Sequence, residues 1–528
     1  MTAVLADAPG APAVRIAAPR RAVLALTRVE TVRMLRHPVT AAAIVLLIAV
    51  WVSSWFAIGT GRYPVLQEVD RDSAMAVMIL LGGAALIVGN LAVLRAHRDG
   101  TTGLSRVLIL PERARIVAHL LAPLPLAVLG AAMILARVAV LAIWTPAAGY
   151  PNPYELAAGP ASVLLLGALG VLLGQLTRSA VVAPLTLLVL LAGFVVLQPL
   201  TDGGKIAWLA PQGGPATAMP VPVDLLGRPA AAHFGYLLAL AGLVAVAAVL
   251  RAGARGIQVA VAGVVAVVCV VACGTAQWSA PGPAVEAART AAMNHPSEHQ
   301  TCQQLGQVNY CAFAGFSPWI PGWNTVVQAV VAQLPAAAHS LPLTVRQRIV
   351  FVTLGAHKGP EQTLAAWQAD DAAAGTPGAI GIDTQWGDSD SAANLAGQVA
   401  YRLVTGKTGE AHLAEQTGPG ELVGTTACGG VGVLAVWLAG QGGPKARAGV
   451  SSLAEEGHGL SFSANQLFPT VAVPAPELAV ATAALNRPNA EIAAKVQQSW
   501  ATLTEPGTTA AQAAQILGLA APATSTAC

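Results

Sequence analysis

Seven apolar stretches in the first half of the 528-residue chain constrain its fold more than any other feature. A helix that crosses a bilayer needs about 20 consecutive apolar residues, because its backbone polar groups find partners only within the helix. The stretches that meet or approach this length are Val39–Ile58, Ala74–Leu94, Ile116–Trp144, Ala158–Leu176, Ser179–Leu200, Ala231–Leu250 and Ile257–Ala276. They predict a membrane all-α fold with seven transmembrane helices.

The composition supports this prediction. Hydrophobic residues make up 55% of the chain and charged residues 10%, whereas soluble domains carry about 25% charged residues. The charge is also uneven: residues 1–276 hold 19 Lys/Arg against 10 Asp/Glu, and residues 277–528 hold 10 against 16. Residues 1–19 lack the apolar centre of a cleavable secretory signal, so we expect a disordered cytoplasmic segment there.

The basic residues predict the orientation, because cytoplasmic loops of membrane proteins carry an excess of Lys and Arg. With a cytoplasmic N-terminus, the inside set is Arg15, Arg20, Arg21, Arg28, Arg33, Arg36, Arg95, Arg98, Arg106, Arg113, Arg115, Arg178, Arg251 and Arg255. The outside set is Arg62, Arg71, Lys205 and Arg228. This bias of fourteen to four predicts a multi-pass protein of the cytoplasmic membrane with its N-terminus inside. Seven spans then put residues 277–528 outside.

Residues 277–528, here called the tail, contain no run that could span a bilayer. The apolar stretch Leu422–Ala439 is interrupted by threonines and glycines and reads as buried core. We expect a mostly helical extracytoplasmic domain with a strand around Arg348–Leu354. Its helical patterns are clearest at Trp323–Leu334, Ala393–Leu403 and Ala490–Leu517, the last interrupted at Pro506.

The cysteines divide between the two halves. Cys269 and Cys273 lie in the seventh apolar stretch and are most simply packing residues. Cys302 and Cys311 lie nine apart in the tail, a spacing that suits a local disulfide in an oxidising compartment; two free buried thiols are the alternative. Cys428 and Cys528 could form a second bridge or stay unpaired.

Two apparent ligand motifs in the tail are rejected. Gly406-Lys407-Thr408 ends like a phosphate-binding loop, but Tyr401 stands where that loop needs its first glycine. His295 and His299 are four apart, yet Pro296 interrupts a helix between them, so a solvated loop is favoured over a metal site. We expect no metal and no cofactor on this chain.

Polar residues inside the apolar stretches are informative, because an unpaired polar group in lipid is costly. Asn90, Arg137 and Gln198 are the main examples. Hydrogen bonding between helices, or extension of the side chain to the membrane surface, is favoured for each. The other interpretation is a polar path for a substrate, and Arg137 is the residue that most merits testing for it.

Two segments on the predicted cytoplasmic side carry recognisable patterns. The first runs Glu30-Thr-Val-Arg33-Met-Leu35-Arg36-His-Pro38, directly before the first span. The second runs Arg98-Asp99-Gly100-Thr101 and reaches Leu110-Pro111 ten residues after Gly100. Both resemble permease subunits of type-2, exporter-like ABC transporters. Those subunits open with an interfacial Glu…Arg…Arg-x-Pro helix and place an acidic-Gly-Thr…Leu-Pro segment after the second span.

The resemblance covers residues 20–250. It implies an interfacial helix at 20–37 and a six-span permease core at 38–250, to which this chain adds a seventh helix at 251–276 and the tail. It also implies dimerisation of permeases, as a homodimer or heterodimer, and a separate ATPase subunit that hydrolyses ATP for transport. This chain would then be no enzyme, and it would bind the lipid bilayer and no nucleic acid. One departure is that Asp99 stands alone where family members often carry two acidic residues.

The residues expected to couple to the ATPase are Glu30, Arg33, Arg36, Asp99, Gly100, Leu104, Leu108 and Pro111. Gly100 permits a backbone turn, and Pro111 suits a first helical turn. Leu104 and Leu108 would give the loop between them a short apolar face, which could instead pack on this chain's own helices. The arginines before the first span could equally bind anionic lipid headgroups. A membrane-anchored extracytoplasmic enzyme or binding protein, active through the tail, is the rival function.

Overall fold

The computed structural model describes residues 19–57, 62–100, 110–200, 207–210, 219–338, 341–351, 360–408, 424–455, 458–464 and 469–522. It is about 70% helical. The helices of the first half are α1 Pro19–Leu35, α2 Pro38–Ala57, α3 Leu66–Val77, α4 Gly83–Arg98, α5 Glu112–Leu121, α6 Leu124–Trp144, α7 Pro153–Thr177, α8 Val182–Leu200, α9 Val223–Leu226, α10 Ala230–Arg251 and α11 Ile257–Trp278. A π-helical turn at Met78–Gly82 joins α3 to α4.

Five continuous helices in the described residues are long and apolar enough to cross a bilayer: Leu66–Arg95, Glu112–Ile143, Pro153–Thr177, Ala230–Arg251 and Ile257–Asn294. A sixth span results if α1 and α2, which meet at a bend of 55°, are counted as one. The predicted fifth span contains a shorter apolar helix, Val182–Gly193. Length and composition therefore support a membrane all-α first half with about five spans.

The helix packing explains the unusual composition. Large apolar side chains face outward, such as Val45 on α2, Val128 on α6 and Val264 on α11, each more than 60% exposed. Such a surface is suited to lipid rather than water. Helix α7 lies at the centre, against α3, α4, α6 and α10. A side chain at its Gly170 would collide with the Leu86 carbonyl, so glycine is required for α7 and α4 to approach this closely.

The tail combines helices with two four-stranded sheets. Its helices are α12 Pro283–Asn294, α13 Ile320–Val331, α14 Pro360–Ala373, α15 Ser389–Thr405, α16 Gly429–Ala439, α17 Pro444–Leu453, α18 Ala475–Leu485, α19 Asn489–Gln498, α20 Trp500–Leu503 and α21 Ala510–Leu517. Its strands are β1 Gln300–Leu305, β2 Val308–Phe313, β3 Leu343–Gln347, β4 Ile380–Ile382, β5 Gly424–Thr426, β6 Ala454–Glu455, β7 Gly459–Phe462 and β8 Thr470–Val473. The three predicted helical patterns coincide with α13, α15 and α19–α21.

The sheets are the part of the tail that the sequence did not predict. The first has the order β1-β2-β3-β4, in which only β1–β2 is antiparallel. The second has the order β5-β8-β7-β6, in which only β5–β8 is parallel. Of the strand expected around Arg348–Leu354, residues 348–351 are not in a strand, since β3 ends at Gln347, and residues 352–354 lie outside the described residues. All five β3 residues are buried, so the strand lacks the apolar-polar alternation that reveals a half-buried strand.

Cys302 and Cys311 form a disulfide, which confirms the pairing expected from their spacing. They stand directly opposite each other on β1 and β2, with Cα atoms 4.0 Å apart. Cys311 is fully buried, so the bridge ties the exposed edge strand to the core. Cys428 is also disulfide-bonded, to a partner outside the described residues. Cys269 and Cys273 are free.

Reduction of the Cys302–Cys311 bridge should destabilise the tail by about 3 kcal/mol, because it frees a short closed loop in the unfolded chain. Mass spectrometry of the non-reduced, digested protein should show the two peptides linked. Unfolding of the wild type and of Cys302→Ser/Cys311→Ser, followed by hydrogen exchange in β2, measures the loss. Thiols at both positions that alkylate without reductant would contradict the pairing.

The tail packs against three turns of the helical half. Residues 62–65 between α2 and α3, 145–152 between α6 and α7, and 219–229 before α10 all contact it. The Tyr63 amide donates to the Trp386 carbonyl at 2.7 Å and the Trp319 indole donates to the Pro146 carbonyl at 2.9 Å. The Arg289 guanidinium donates to the Leu225 carbonyl at 2.8 Å. We call this end of the helices the tail-facing end.

The other turns of the helical half gather away from the tail, at what we call the far end. The Asn90 side chain near the end of α4 donates to the Ser179 carbonyl in the α7–α8 turn at 3.1 Å. Arg113 at the start of α5 and Arg255 in the α10–α11 turn line one groove. The turns therefore alternate between the two ends in chain order.

Candidate functional site

The residues of the N-terminal pattern form a compact junction at the far end, built from α1, the last turn of α4 and α5. Glu30 is 4% exposed. Its Oε1 lies 2.8 Å from Nη1 of Arg95 on α4 and 2.9 Å from Nη1 of Arg33. A buried carboxylate is retained at low cost only when it is paired. Glu30 therefore connects α1 to the end of the second predicted span and is not itself free to contact a partner.

A second contact holds α1 against the break between α5 and α6. The Thr31 hydroxyl donates to the Ala122 carbonyl at 3.1 Å, and Met34 is buried beside it. Ala122 lies where the long predicted third span is interrupted between α5 and α6, and its carbonyl accepts a hydrogen bond from α1. The side chain of Thr31 supplies this bond.

The opposite face of α1 is exposed and carries a stripe of four residues spaced four apart: Leu24, Arg28, Val32 and Arg36. Leu24 is 63% exposed and Val32 39%. Residues four apart lie above one another on a helix, so the stripe alternates apolar and cationic side chains. It is suited to an interface that is partly apolar and partly acidic.

The segment after α4 adopts the turn that its glycine predicts. Gly100 has φ +66° and directly follows Asp99, the C-terminal cap of α4. Among the described residues, no heavy atom stands within 4 Å of where a side chain at Gly100 would begin, and the positive φ is a backbone conformation that favours glycine. Pro111 precedes α5 with an extended backbone. Asp99 and Pro111 are exposed, whereas Leu104 and Leu108 lie outside the described residues.

Arg137 makes contacts that explain its place within a span. Its Nη1 donates to Ser73 Oγ at 3.0 Å, and its guanidinium lies 5.0 Å from the ring centroid of Trp51. These contacts join α6 to α3 and α2, so helix packing is the interpretation they favour for Arg137. Asn90 is fully buried and bonded across to Ser179, which favours the same interpretation. The Gln198 side chain lies outside the described part of α8.

The Gly406-Lys407-Thr408 segment lies at the end of a helix that does not suit phosphate binding. Gly406 has φ +71° and caps the C-terminal end of α15. A phosphate-binding loop precedes a helix N-terminus, where free N–H groups point at the anion, whereas the C-terminal end presents carbonyls. Among the described residues, no group of three or more His, Cys, Asp and Glu could hold a metal ion.

Sequence reasoning missed a buried ionic cluster in the tail, formed by Arg346, Arg348, Asp370 and Asp371. Each is 4% exposed or less. Asp371 Oδ2 lies 2.5 Å from Nη2 of Arg348, and Asp371 Oδ1 lies 3.0 Å from Nε of Arg346. Burial raises the pKa of the Asp371 carboxyl, and the two guanidinium groups oppose that shift. The sequence shows two arginines at the end of β3 and two adjacent aspartates in α14. The two pairs are more than twenty residues apart, and no local pattern in the sequence indicates that they meet.

The cluster is extended by neutral partners. Asp370 Oδ1 accepts from the Ser297 hydroxyl at 2.6 Å, and Arg346 Nη1 donates to Gln300 Oε1 at 3.1 Å. Arg348 lies over the ring of Trp367, 5.2 Å from its centroid. The network therefore fixes the end of β3 against α14 and the start of β1. Because it is fully covered, it stabilises the tail and offers no surface to a ligand.

Arg62 and Asp388 form an ion pair, Nε to Oδ2 at 2.5 Å, between the α2–α3 turn and the start of α15. Partial burial acts to raise the pKa of Asp388, but hydrogen bonds from Arg62 and Ser391 hold it below its usual value. A depressed carboxyl pKa contributes stability that is present above the unfolded value, about 4, and is lost as the pH falls through the folded value.

Acidification should therefore remove the contribution of Asp388. At pH 7 the Asp388→Asn variant should melt at a lower temperature than the wild type, and the difference should shrink as the pH falls below about 4. Thermal unfolding of the two proteins in detergent measures this. Asp390→Asn, two residues along α15 and without an ion pair among the described residues, is the control. A wild-type advantage that persists at low pH would contradict the assignment.

No family model, no curated protein and no solved structure matches this chain.

Proposed function

We propose that this chain is the transmembrane permease subunit of an ABC transporter of the type-2, exporter-like class. Two permeases associate in the membrane, and a separate ATPase binds their cytoplasmic face. ATP hydrolysis by that subunit drives a substrate across the membrane. In this proposal α1 is the interfacial helix, residues 38–250 are a six-span core, α11 is a seventh span and the tail is extracytoplasmic.

The junction at the far end is the observation that carries the proposal. Glu30 of the first segment that resembles the permease family forms an ion pair with Arg95, which lies 65 residues further along the chain, on α4, three residues before the second segment begins at Arg98. A rigid unit is needed if ATP-driven movement of a bound subunit is to be transmitted to the spans. In the junction, α1 is linked to α4 through Glu30 and to the α5–α6 break through Thr31. Its exposed stripe remains available to a partner.

The alternation of turns supports the proposed orientation. Seven spans with a cytoplasmic N-terminus put the turns after the first, third and fifth spans on the same side as the tail. These are the three turns that contact the tail. Arg98 at the end of α4 and the turns that hold Arg178 and Arg255 gather at the far end, together with α1, and an excess of basic residues there is typical of the cytoplasmic side.

A phosphatase reporter that is active only outside the cytoplasm tests this orientation. Fused after Gln277 it should be active, and fused at Thr101 it should be inactive. A cytoplasm-dependent fluorescent reporter at the same two positions should give the reverse pattern. Phosphatase activity at Thr101 would contradict the proposal.

The proposed function is tested by purifying the tagged full-length chain from its own membranes after mild crosslinking. Mass spectrometry should identify an ATPase with a phosphate-binding loop, crosslinked to α1 or to residues 99–111. If the chain is instead a membrane-anchored extracytoplasmic enzyme or binding protein, no ATPase is recovered and crosslinks fall on the tail. That result would reject the permease proposal.

A further inference from the structure

Three buried polar atoms line one small cavity near the tail-facing end of the helices. They are Glu155 Oε1 and Ser162 Oγ on α7 and His233 Nε2 on α10. The residues are 7%, 0% and 2% exposed, and none of these three atoms has a hydrogen-bond partner among the residues that the structure describes. A buried polar atom without a partner is destabilising, because it has lost its hydrogen bonds to water. Three that converge on one space indicate that something polar occupies it.

The neighbouring contact defines the state of His233. Its Nδ1 lies 2.8 Å from Gln277 Oε1 on α11, and the Gln277 amide nitrogen donates to the Cys273 carbonyl at 3.2 Å. The amide oxygen therefore faces the imidazole, and an amide oxygen only accepts hydrogen bonds. Nδ1 must carry a proton, so in neutral His233 the Nε2 atom presents a lone pair to the cavity.

The size of the cavity restricts its occupant. Its volume is about 10 Å³, which is near the least that admits one water molecule. A water there donates to the Glu155 carboxylate and to His233 Nε2 and accepts from the Ser162 hydroxyl, which satisfies all three atoms. The indole of Trp208 packs edge-on against the His233 ring, with ring centroids 6.4 Å apart. It therefore shields the ring from bulk solvent.

We propose that this cavity is a proton-binding site, in which one water molecule bridges Glu155, Ser162 and His233 and the Glu155–His233 pair holds one additional proton. On uptake, a hydronium ion gives its proton to the His233 Nε2 lone pair and leaves as water. The new N–H then donates to the bridging water, which still donates to Glu155. His233 becomes a cation opposite a carboxylate, and its bond to Gln277 is unchanged.

The charges around the site come mainly from α3. Arg71 lines the cavity itself, and Asp70 on the same helix lies near enough to Glu155 for the two carboxylates to repel each other. Arg228, just before α10, lies 3.0 Å from Glu68 and 3.9 Å from Asp70. On α11 the facing group is the neutral Gln277. The site thus connects α3, α7, α10 and α11 beneath the tail, so a proton bound there strengthens the link between α7 and α10.

A double-mutant cycle on the full-length protein in detergent tests the proposal, because it isolates the Glu155–His233 interaction from other titrating groups. The variants are Glu155→Gln, His233→Gln and the two combined, and each is melted at about pH 5 and at about pH 8. The coupling is the non-additive part of the change in melting temperature. It should be more stabilising at the lower pH, by at least about 2 °C. Glu155→Gln combined with His97→Gln, at the far end, should show no coupling.

A coupling that is equal at the two pH values, or absent at both, would overturn the proposal. If the variants do not fold, a high-resolution cryo-EM map of the wild type decides. Density for one water within hydrogen-bond distance of the three atoms supports the site, and an empty cavity overturns it. None of these readouts depends on transport or on an ATPase, so the site stands or falls separately from the proposed function.

Discussion

Replacing Asp371 by asparagine is expected to destabilise the tail by about 3–5 kcal/mol, the largest effect of any single substitution considered. The change removes the carboxylate that faces both Arg346 and Arg348. Those guanidinium groups are 2% exposed or less, so they cannot recover the lost interaction from water. Breaking one partner of a fully buried ion pair has this magnitude because it leaves a charge uncompensated.

Hydrogen exchange of tail peptides in the full-length protein measures this loss, since it reports local opening without requiring one cooperative transition. Peptides from β3 and α14 should lose protection most. Glu491→Gln is the matched control, because its ion pair with Lys495 lies on the surface and should contribute nothing measurable. Equal protection in Asp371→Asn and wild type would show that the cluster does not hold these elements together.

Changing Leu104 and Leu108 together to aspartate is expected to abolish co-purification of the ATPase. The two side chains would form the apolar face of the segment between Gly100 and Pro111, and two carboxylates cannot enter an apolar interface without a partner. Membrane insertion should be unchanged, because the substitutions lie between spans. Affinity purification with quantitative mass spectrometry measures the recovery of the ATPase relative to the permease.

The comparison variant is Leu24→Asp/Val32→Asp, on the exposed stripe of α1, which the proposal also leaves available to the ATPase. If the loop between α4 and α5 is the main contact, this comparison variant should retain more of the ATPase than the loop variant. If the Leu104/Leu108 face packs instead on this chain's own helices, the loop variant should lose thermal stability while its ATPase recovery follows the loss of folded protein. Full recovery from the folded loop variant would reject the loop as the coupling element.

The sequence predicted the helical half well because a helix that could cross a membrane is recognised from the length and apolar composition of a single stretch. Six of the seven predicted stretches lie within or largely overlap the helices α2, α3–α4, α5–α6, α7, α10 and α11, and α8 covers most of the other. The interfacial helix expected at 20–37 implies a change of direction before the first span, where α1 and α2 meet at a bend of 55°, but the sequence did not predict the π-helical turn at Met78–Gly82. It also placed Arg95 among loop charges, whereas the residue pairs with buried Glu30.

The tail shows why the remainder could not be predicted. Strand β1 reads Gln-Thr-Cys-Gln-Gln-Leu and lies at the exposed edge of its sheet, without an apolar pattern. Strand β3 buries Arg346 and Gln347, which a hydropathy pattern assigns to the surface. The burial of Arg346 depends on Asp371, more than twenty residues away on another element, and the Gln347 amide donates to the Asp383 carbonyl. The Cys302–Cys311 pair was predictable because nine residues suffice to form a hairpin that brings both thiols together.

The residues proposed to couple to the ATPase also include some whose structure the sequence predicted and some whose structure it did not. Gly100 and Pro111 act through their own backbone preferences, and the sequence predicted the turn and the helix start correctly. Glu30 and Arg33 were expected to face a partner subunit, yet Glu30 is buried against Arg95. Its role within the junction is positional, and the exposed residues Arg28, Val32 and Arg36 are the ones available for contact.

ATP hydrolysis by the co-purified ATPase, reconstituted in liposomes with and without this chain, tests the central claim most directly. If the chain is the permease, its presence should raise the hydrolysis rate, and the Leu104→Asp/Leu108→Asp variant should return the rate to that of the ATPase alone. Hydrolysis that is unchanged by the wild-type chain, with the chain correctly inserted, would contradict the permease function.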